Sequence, residues 1–359
     1  MAVILALAIL LSLPVFSKGA PAGAGKKEEP TAPSEQALVW KRPETVRGIY
    51  ATGWTAGSTK NFSRLVRFIQ ETQVNSIVID VKDDGGTLSY KSLVPLARET
   101  GADIAKIKDP RALLRSLNRH GIWPIARIVA FKDPHLARKR PDLAVRNKAG
   151  GYWRDRKGML WVDPNARYVW EYNVAVAKEA VAMGFQEIQF DYVRFTSDGC
   201  VSDCVYPYSK GAKKEDVIRD FLAYARAALK PLGIPVSADI FGLVTTAQDD
   251  LGIGQLLEKI AASVDIISPM VYPSHYARGS FGLANPDLHP YETVLRGLTD
   301  ARRRLAQNAV EIRPWLQDFS LGNPYGRAEI QAQIKAVRDA GLREWIFWNP
   351  SNRYDAAKY

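Results

Sequence analysis

The sequence contains few of the residues that metal sites and nucleophilic hydrolases require. Its 359 residues include two cysteines and four histidines, and the histidines lack the spacing of a zinc site. The chain also lacks a glycine-rich phosphate-binding loop, a G-x-S-x-G elbow and an H-E-x-x-H helix. These absences disfavour metal-dependent deacetylation and leave carboxylate chemistry, with no metal and no other cofactor, as the expectation.

The chain has no apolar run long enough to cross a bilayer comfortably. Its first sixteen residues, MAVILALAILLSLPVF, are uncharged and resemble the apolar region of a signal peptide, although the usual basic start is missing. We therefore predict a signal peptide or N-terminal anchor over residues 1–19 and a flexible linker over residues 20–44, rich in Pro, Ala, Gly and charge. We expect an exported protein: periplasmic, associated with the cell envelope or secreted. Membrane contact is expected only through an uncleaved N-terminal segment.

Acidic residues are outnumbered by basic ones, and the formal net charge is +11. A basic protein attracts anionic partners over long range. Lys and Arg are scattered along the chain without a nucleic-acid-binding motif, so nucleic acid is not the expected partner. An anionic envelope or an acidic glycan fits an exported protein better, and the alternative is a solvated surface with incidental basicity. The sequence leaves the oligomeric state open.

The two cysteines, Cys200 and Cys204, both lie in the segment DGCVSDC. Export would allow them to pair, because disulfides persist in oxidising compartments. A metal site would need more ligands than this pair supplies. We therefore predict a small disulfide that stiffens this loop.

Eight short apolar strands alternate with amphipathic helical stretches across about three hundred residues. Parallel strands need long crossovers, so this alternation predicts a single α/β domain over residues 45–359, a closed (β/α)8 TIM barrel. The predicted strands are Arg47 to Tyr50, Ser76 to Val81, Pro124 to Val129, Glu187 to Tyr192, Val236 to Ile240, Asp265 to Met270, Ile312 to Leu316 and Glu344 to Phe347.

Polar and aromatic residues gather at the carboxyl ends of these strands, where TIM barrels carry their active sites. Asp191 ends strand four and Asp239 lies near the end of strand five. Two carboxyl groups on neighbouring strands match glycoside hydrolysis, which needs a proton donor and a nucleophile or base. Arg194 is close enough in sequence to hold Asp191 ionised, and the alternative is a purely structural Asp191–Arg194 ion pair. For Asp239 the alternative is a helix cap or a backbone hydrogen bond.

Other strand-end residues are candidates for binding sugar. Aromatic rings stack on pyranose faces, while amides, carboxylates and cations bind hydroxyls. Asp80 is also a third candidate proton donor. The predicted substrate-binding residues are Asp80, Lys82, Arg127, Tyr192, Arg194, Tyr272, His275, Trp315, Gln317, Asp318 and Trp348.

The segments RGIYATGW, NSIVIDVKDDGG, ARIVAFKD, FDYVRF, SADIFG, PMVYPSHY and WLQDF together resemble a bacterial glycosyl hydrolase family whose domain long carried an unknown-function label. The resemblance implies a TIM barrel distantly similar to α-amylase-type and chitinase-like glycosidases. By similarity to amylases, Asp191 would be the nucleophile and Asp239 the acid. The amylase pattern differs, with Glu on strand five and Arg before the strand-four Asp. By similarity to chitinases, the acidic residue that those enzymes carry on strand four would instead correspond to Asp191.

These observations favour an exported glycoside hydrolase that cleaves O-glycosidic bonds of an envelope or extracellular polysaccharide with Asp191 and Asp239 as catalytic residues. The alternative is a catalytically inactive glycan-binding TIM barrel at the cell envelope. Retaining enzymes have their two carboxyl groups about 5 to 5.5 Å apart, and inverting enzymes about 6.5 to 9.5 Å apart. The sequence does not give this distance, so both mechanisms stay open.

Overall fold

The computed structural model describes residues 39–359, which form a closed eight-stranded parallel barrel. Each strand pairs with the next, β8 pairs with β1 at Ile346 and Gly48, and β6 meets β7 at Met270 and Trp315. The (β/α)8 prediction is confirmed. The strands are β1 (Arg47–Ala51), β2 (Ser76–Lys82), β3 (Trp123–Val129), β4 (Glu187–Asp191), β5 (Val236–Phe241), β6 (Ile266–Met270), β7 (Trp315–Gln317) and β8 (Trp345–Trp348).

The strands are buried on both faces, which explains their nearly continuous apolar sequences. Every residue of β2 and β3 is buried. Along β2, Ile77 and Ile79 pack outward against the helices, whereas Val78 belongs to a separate cluster inside the barrel. This alternation places the side chain of every second residue, including Asp80, inside the barrel.

Ten α-helices lie within the described residues, and the longer ones cover the barrel as the sequence predicts. Helix α4 shows why they form: Asp109 accepts a hydrogen bond from the backbone N–H of Ala112, and Leu113, Leu114 and Leu117 are buried. A cap of this kind stabilises a helix by about 1 kcal/mol. The helices are α1 (Gly53–Gly57), α2 (Thr59–Gln70), α3 (Pro95–Thr100), α4 (Pro110–Arg119), α5 (Pro134–Lys139), α6 (Arg167–Met183), α7 (Lys214–Leu229), α8 (Leu257–Ala261), α9 (Pro290–Arg304) and α10 (Arg327–Asp339).

The seventh strand differs most from its prediction. A two-residue segment, Glu311–Ile312, pairs with β6, and β7 begins only at Trp315. Pro314 lies between them and has no N–H to donate to a neighbouring strand. The predicted continuous strand from Ile312 to Leu316 is therefore split in two.

The long loops after β3 and β4 are joined by an antiparallel ribbon of Arg146–Asn147 with Cys204–Val205. Trp153 is buried beneath this ribbon, and its indole N–H donates to the carbonyl of Cys200 over 2.8 Å. Trp153 belongs to the same hydrophobic cluster as the residues between the barrel and its helices, so the loops are packed onto the main core.

The predicted disulfide is absent, and both cysteines are free thiols. Cys200 is exposed, whereas the Cys204 sulfur is half-buried and lies 3.2 Å from Thr196 Oγ1. The ribbon and the tryptophan hydrogen bond therefore stiffen this loop without a covalent link.

Between residues 39 and 359, no helix is long and apolar enough to cross a membrane. The predicted leader and nearly all of the linker lie outside the described residues, so their boundaries stay a prediction.

Candidate active site

A pocket of about 440 Å³ lies at the carboxyl ends of the strands, the face on which TIM barrels carry their chemistry. It brings together nine of the predicted site residues: Arg127, Asp191, Tyr192, Arg194, Asp239, Tyr272, His275, Trp315 and Trp348. Seven lining residues were not predicted: Ser197, Asp198, Phe241, Gly242, Leu243, Met270 and Tyr276.

At the centre of the site, Arg127 on β3 lies between two carboxylates from the neighbouring strands. Its Nη1 donates to Asp80 Oδ1 over 2.6 Å, and its Nε and Nη2 donate to Asp191 Oδ2 over 3.1 and 2.5 Å. Burial alone would lower the pKa of Arg127, but Asp191 and Asp80 outweigh it and raise the pKa well above its usual value. The two N–H groups that donate to Asp191 orient this carboxylate and stabilise its negative charge.

Asp239 on β5 is the acidic group without a cationic hydrogen-bond partner. Its Oδ1 accepts from Trp315 Nε1 over 2.7 Å, and its buried Oδ2 has no hydrogen-bond partner in the described part of the chain. Phe190 is in register with Ala238, so Asp191 and Asp239 follow on adjacent strands, which lie about 4.8 Å apart. Burial, and then the charge of Asp191, raise the pKa of Asp239 well above its usual value. Asp239 therefore keeps its proton to a higher pH than an ordinary aspartate does.

Aromatic rings form one wall of the site. Tyr50 on β1 stacks on Trp348 with ring centroids 3.9 Å apart, and Trp315 meets Trp348 edge-on. The Tyr50 hydroxyl donates to Asp80 Oδ2 over 2.5 Å, so it fixes the carboxylate that holds Arg127. Sequence reasoning missed Tyr50. The strand alternation could have found it, because Ile49 and Ala51 pack outward and leave Tyr50 inside.

Arg194 does not hold Asp191, contrary to the prediction. Its guanidinium donates to the carbonyl of Phe195 and to Ser197 Oγ. The chain reverses direction sharply after Asp191, because Tyr192 has φ +51° and its backbone N–H donates to Asp191 Oδ1. This left-handed conformation is costly for an aromatic residue, by about 1–3 kcal/mol. Arg127, from a neighbouring strand, takes the position expected for Arg194.

Lys82 lies away from the pocket, between the barrel and α6. It is fully buried and pairs with Asp133 over 2.7 Å and with Asn173 over 2.9 Å. The pairing of β2 with β3 is irregular between Asp80 and Lys82, and this bulge turns the lysine outward. Lys82 therefore anchors α6, not a sugar.

The other predicted binding residues divide by position. Tyr272 and His275 pack edge-on in the pocket, and burial lowers the pKa of His275, which favours its neutral form. Gln317 accepts from the backbone of Ser274, and Asp318 bonds Lys358 and Tyr359, so both are engaged in holding loops outside the pocket lining.

A larger groove of about 780 Å³ lies at the amino-terminal end of the barrel. Two of its carboxylates, Asp339 and Glu344, are paired with Lys335 and Arg313. Its other two carboxylates, Glu44 and Glu311, are paired with Arg343 and Arg42, so each acid of the groove has a cationic partner, unlike Asp239. Within residues 39–359, no three His, Cys, Asp or Glu side chains converge as a metal site would require.

A family model described as "Putative glycosyl hydrolase domain" matches residues 48–354. The fold is similar to a hypothetical protein from Ruminiclostridium thermocellum ATCC 27405, at 39% identity and TM-score 0.50 over 57% of this chain and 98% of that one. It is also similar to the PgaB (BpsB) glycoside hydrolase domain from Bordetella bronchiseptica, at 15% identity and TM-score 0.63 over 87% and 97%.

A further similar structure is alpha-L-fucosidase isoenzyme 2 from Paenibacillus thiaminolyticus, at 16% identity and TM-score 0.59 over 88% of this chain and 48% of that chain. At 15% and 16% identity, the likeness to the last two structures concerns the fold alone. No curated protein matches the chain.

Proposed function

The chain belongs to the glycosyl hydrolase family matched over residues 48–354, and from this premise we propose that it cleaves O-glycosidic bonds by a two-carboxylate mechanism. The proposed substrate is an envelope or extracellular polysaccharide, met by an exported protein. The apolar start of the chain and its net charge of +11 support export and an anionic neighbour.

The observation that carries the proposal is the unequal environment of two adjacent carboxyl groups. Asp239 has a raised pKa and an oxygen without a protein partner, so it keeps a proton to donate. Asp191 lies beside it and pairs with Arg127, which it shares with Asp80. Neighbouring acids in environments that separate their protonation states are the arrangement that acid and base roles require.

In the proposed reaction, Asp239 protonates the glycosidic oxygen as the bond to the anomeric carbon breaks. Asp191 attacks that carbon directly, or it removes a proton from a water that attacks. The stereochemistry of the first product distinguishes these two routes. The transition state carries positive charge on the sugar ring, which the adjacent Asp191 carboxylate stabilises.

The two rings of the aromatic wall that line the pocket, Trp348 and Trp315, support a sugar ligand together with Tyr272. Apolar ring faces pack on pyranose faces, and the few polar groups of the pocket fix the orientation of the ligand. Tyr50 supports this wall from behind, through its stack on Trp348.

The test is hydrolysis of a panel of envelope polysaccharides by the wild type and Asp191→Asn. We expect the substitution to reduce turnover by a factor on the order of 10² or more, because it removes the nucleophile or base. Asp265→Asn is the matched control, because Asp265 pairs with Arg226 at the opposite end of the barrel. Equal turnover by the wild type and Asp191→Asn would remove Asp191 from the mechanism. Binding without turnover by both would favour an inactive glycan-binding barrel.

A further inference from the structure

Arg194 is a buried cation in the pocket without a carboxylate partner. Arg194 is only 7% exposed, yet it lines the pocket. Its protein hydrogen bonds run only through Nη1, to the Phe195 carbonyl over 3.1 Å and to Ser197 Oγ over 3.0 Å. Across residues 39–359 no acidic side chain forms a salt bridge with it. Nε and Nη2 therefore have no protein acceptor.

Aromatic side chains hold the plane of this guanidinium. Its central carbon lies 4.7 Å from the ring centroid of Trp161, 4.6 Å from that of Phe241 and 5.0 Å from that of Tyr192. Such contacts stabilise a cation through the ring faces and leave its N–H edges available for hydrogen bonds. Arg194 is thus fixed in place with donors to spare.

A largely buried cation is costly unless its N–H groups find acceptors, and those of Arg194 that have no protein acceptor face the pocket. Burial lowers the pKa of Arg194, but an arginine stays charged in proteins. The cleavage step does not use this cation, because the sugar ring itself becomes positive. Asp198, which also lines the pocket, accepts from the backbone N–H of Arg156 instead. The N–H groups of Arg194 that face the pocket are therefore free to bind an anionic ligand.

We propose that Arg194 binds the carboxylate of an acidic sugar, so that the substrate is a glycan containing uronic acid or another carboxylated sugar. This inference rests on the proposed function and specifies its substrate class. One unpaired cation balances one negative charge, and the planar N–H edge of a guanidinium matches a planar carboxylate. The net charge of +11 would also attract such a polyanion.

The experiment compares acidic oligosaccharides with their carboxyl-reduced counterparts, which differ only in that carboxylate. Oligomers built from galacturonate, mannuronate and glucuronate are titrated by calorimetry into the wild type and into Asp239→Asn, which slows cleavage during the measurement. We expect at least one acidic oligomer to bind at least about tenfold more tightly than its reduced counterpart. Equal binding across every pair would overturn the proposal, as would a preference confined to sulphated or phosphorylated oligomers.

Substitution of the arginine locates this preference. Arg194→Gln should weaken binding of the acidic oligomer on the order of ten- to a hundredfold and leave the reduced oligomer nearly unchanged. Arg194→Lys should keep part of the preference, because it retains the charge but not the fork. Arg167→Gln is the matched control, since Arg167 stacks on Tyr224 and Trp170 outside the pocket lining. Thermal unfolding checks each variant, and if Arg194→Gln does not fold, Arg194→Lys and the paired ligands still decide.

Failure of this inference is distinguishable from failure of the proposed function. If the protein binds acidic oligomers through Arg194 but cleaves none, the substrate class stands and hydrolysis is wrong. If it cleaves neutral glycans equally well with and without Arg194, hydrolysis stands and the carboxylate site is wrong.

Discussion

Two arginines lie inside this barrel, one at each end, and each of them contacts two carboxylates. At the carboxyl end of the strands, Arg127 contacts Asp80 and Asp191. At the amino end, Arg313 contacts Glu187 over 2.8 and 2.9 Å and Glu344 over 2.8 Å. The two clusters use the same residue types at similar distances, so ion pairing by itself does not distinguish a site from a support.

The surroundings of the two clusters differ. Arg313 and Glu187 are fully buried, Ser237 donates to Glu187, and the backbone of Val46 donates to Glu344. The Arg127 cluster instead borders a pocket, next to a third acid, Asp239, that has no cation of its own. A closed ion pair holds strands together, whereas an open one beside an uncompensated acid can meet a substrate.

The largest effect is expected from Asp239→Asn, which changes the cluster at the carboxyl end of the strands and should lower turnover. Loss of the proton donor should lower turnover of natural glycans by a factor on the order of 10²–10⁴. Aryl glycosides with an acidic phenol as leaving group need little protonation, so they should lose much less. Steady-state kinetics on both substrate types measures the difference. A uniform loss on both would contradict the role of Asp239 as acid.

Glu187→Gln should act on stability instead. It leaves the fully buried Arg313 with less compensation, so we expect the free energy of unfolding to fall by about 3 kcal/mol, measured by urea denaturation. Glu311→Gln is the control, because Glu311 pairs with Arg42 and both side chains are exposed, and the expected loss there is at most about 1 kcal/mol. A Glu187→Gln protein as stable as the wild type would show that the closed cluster does not hold the barrel together.

Trp315→Phe should give the smallest effect, a shift in the pH dependence of kcat/KM. The hydrogen bond from Trp315 lowers the pKa of Asp239, so its removal should raise that pKa further. The acid stays protonated to higher pH, and the alkaline fall in kcat/KM should move upward. Trp123→Phe is the control, since the Trp123 indole N–H has no hydrogen-bond partner in the described structure. An alkaline limb that does not move, or moves downward, would exclude Asp239 as the group responsible.

The sequence by itself predicted the barrel and the strand ends, because strand alternation and helix caps are local patterns. It placed Asp191 and Asp239 on adjacent strands, and the structure puts both in one pocket. It did not anticipate the split at Pro314, where one missing N–H ends a pairing that the apolar pattern would continue.

Only the tertiary structure decided which side chains meet. The register of the strands pairs Asp191 with Arg127, whereas Arg194, which is nearer in sequence, forms no salt bridge with a carboxylate of the described residues. A bulge after Asp80 turned Lys82 toward α6. These outcomes depend on neighbouring strands that are distant in the chain, and so does the raised pKa of Asp239, which follows from burial and from the charge of Asp191. Local sequence specifies elements, whereas charge pairing and desolvation are set by their packing.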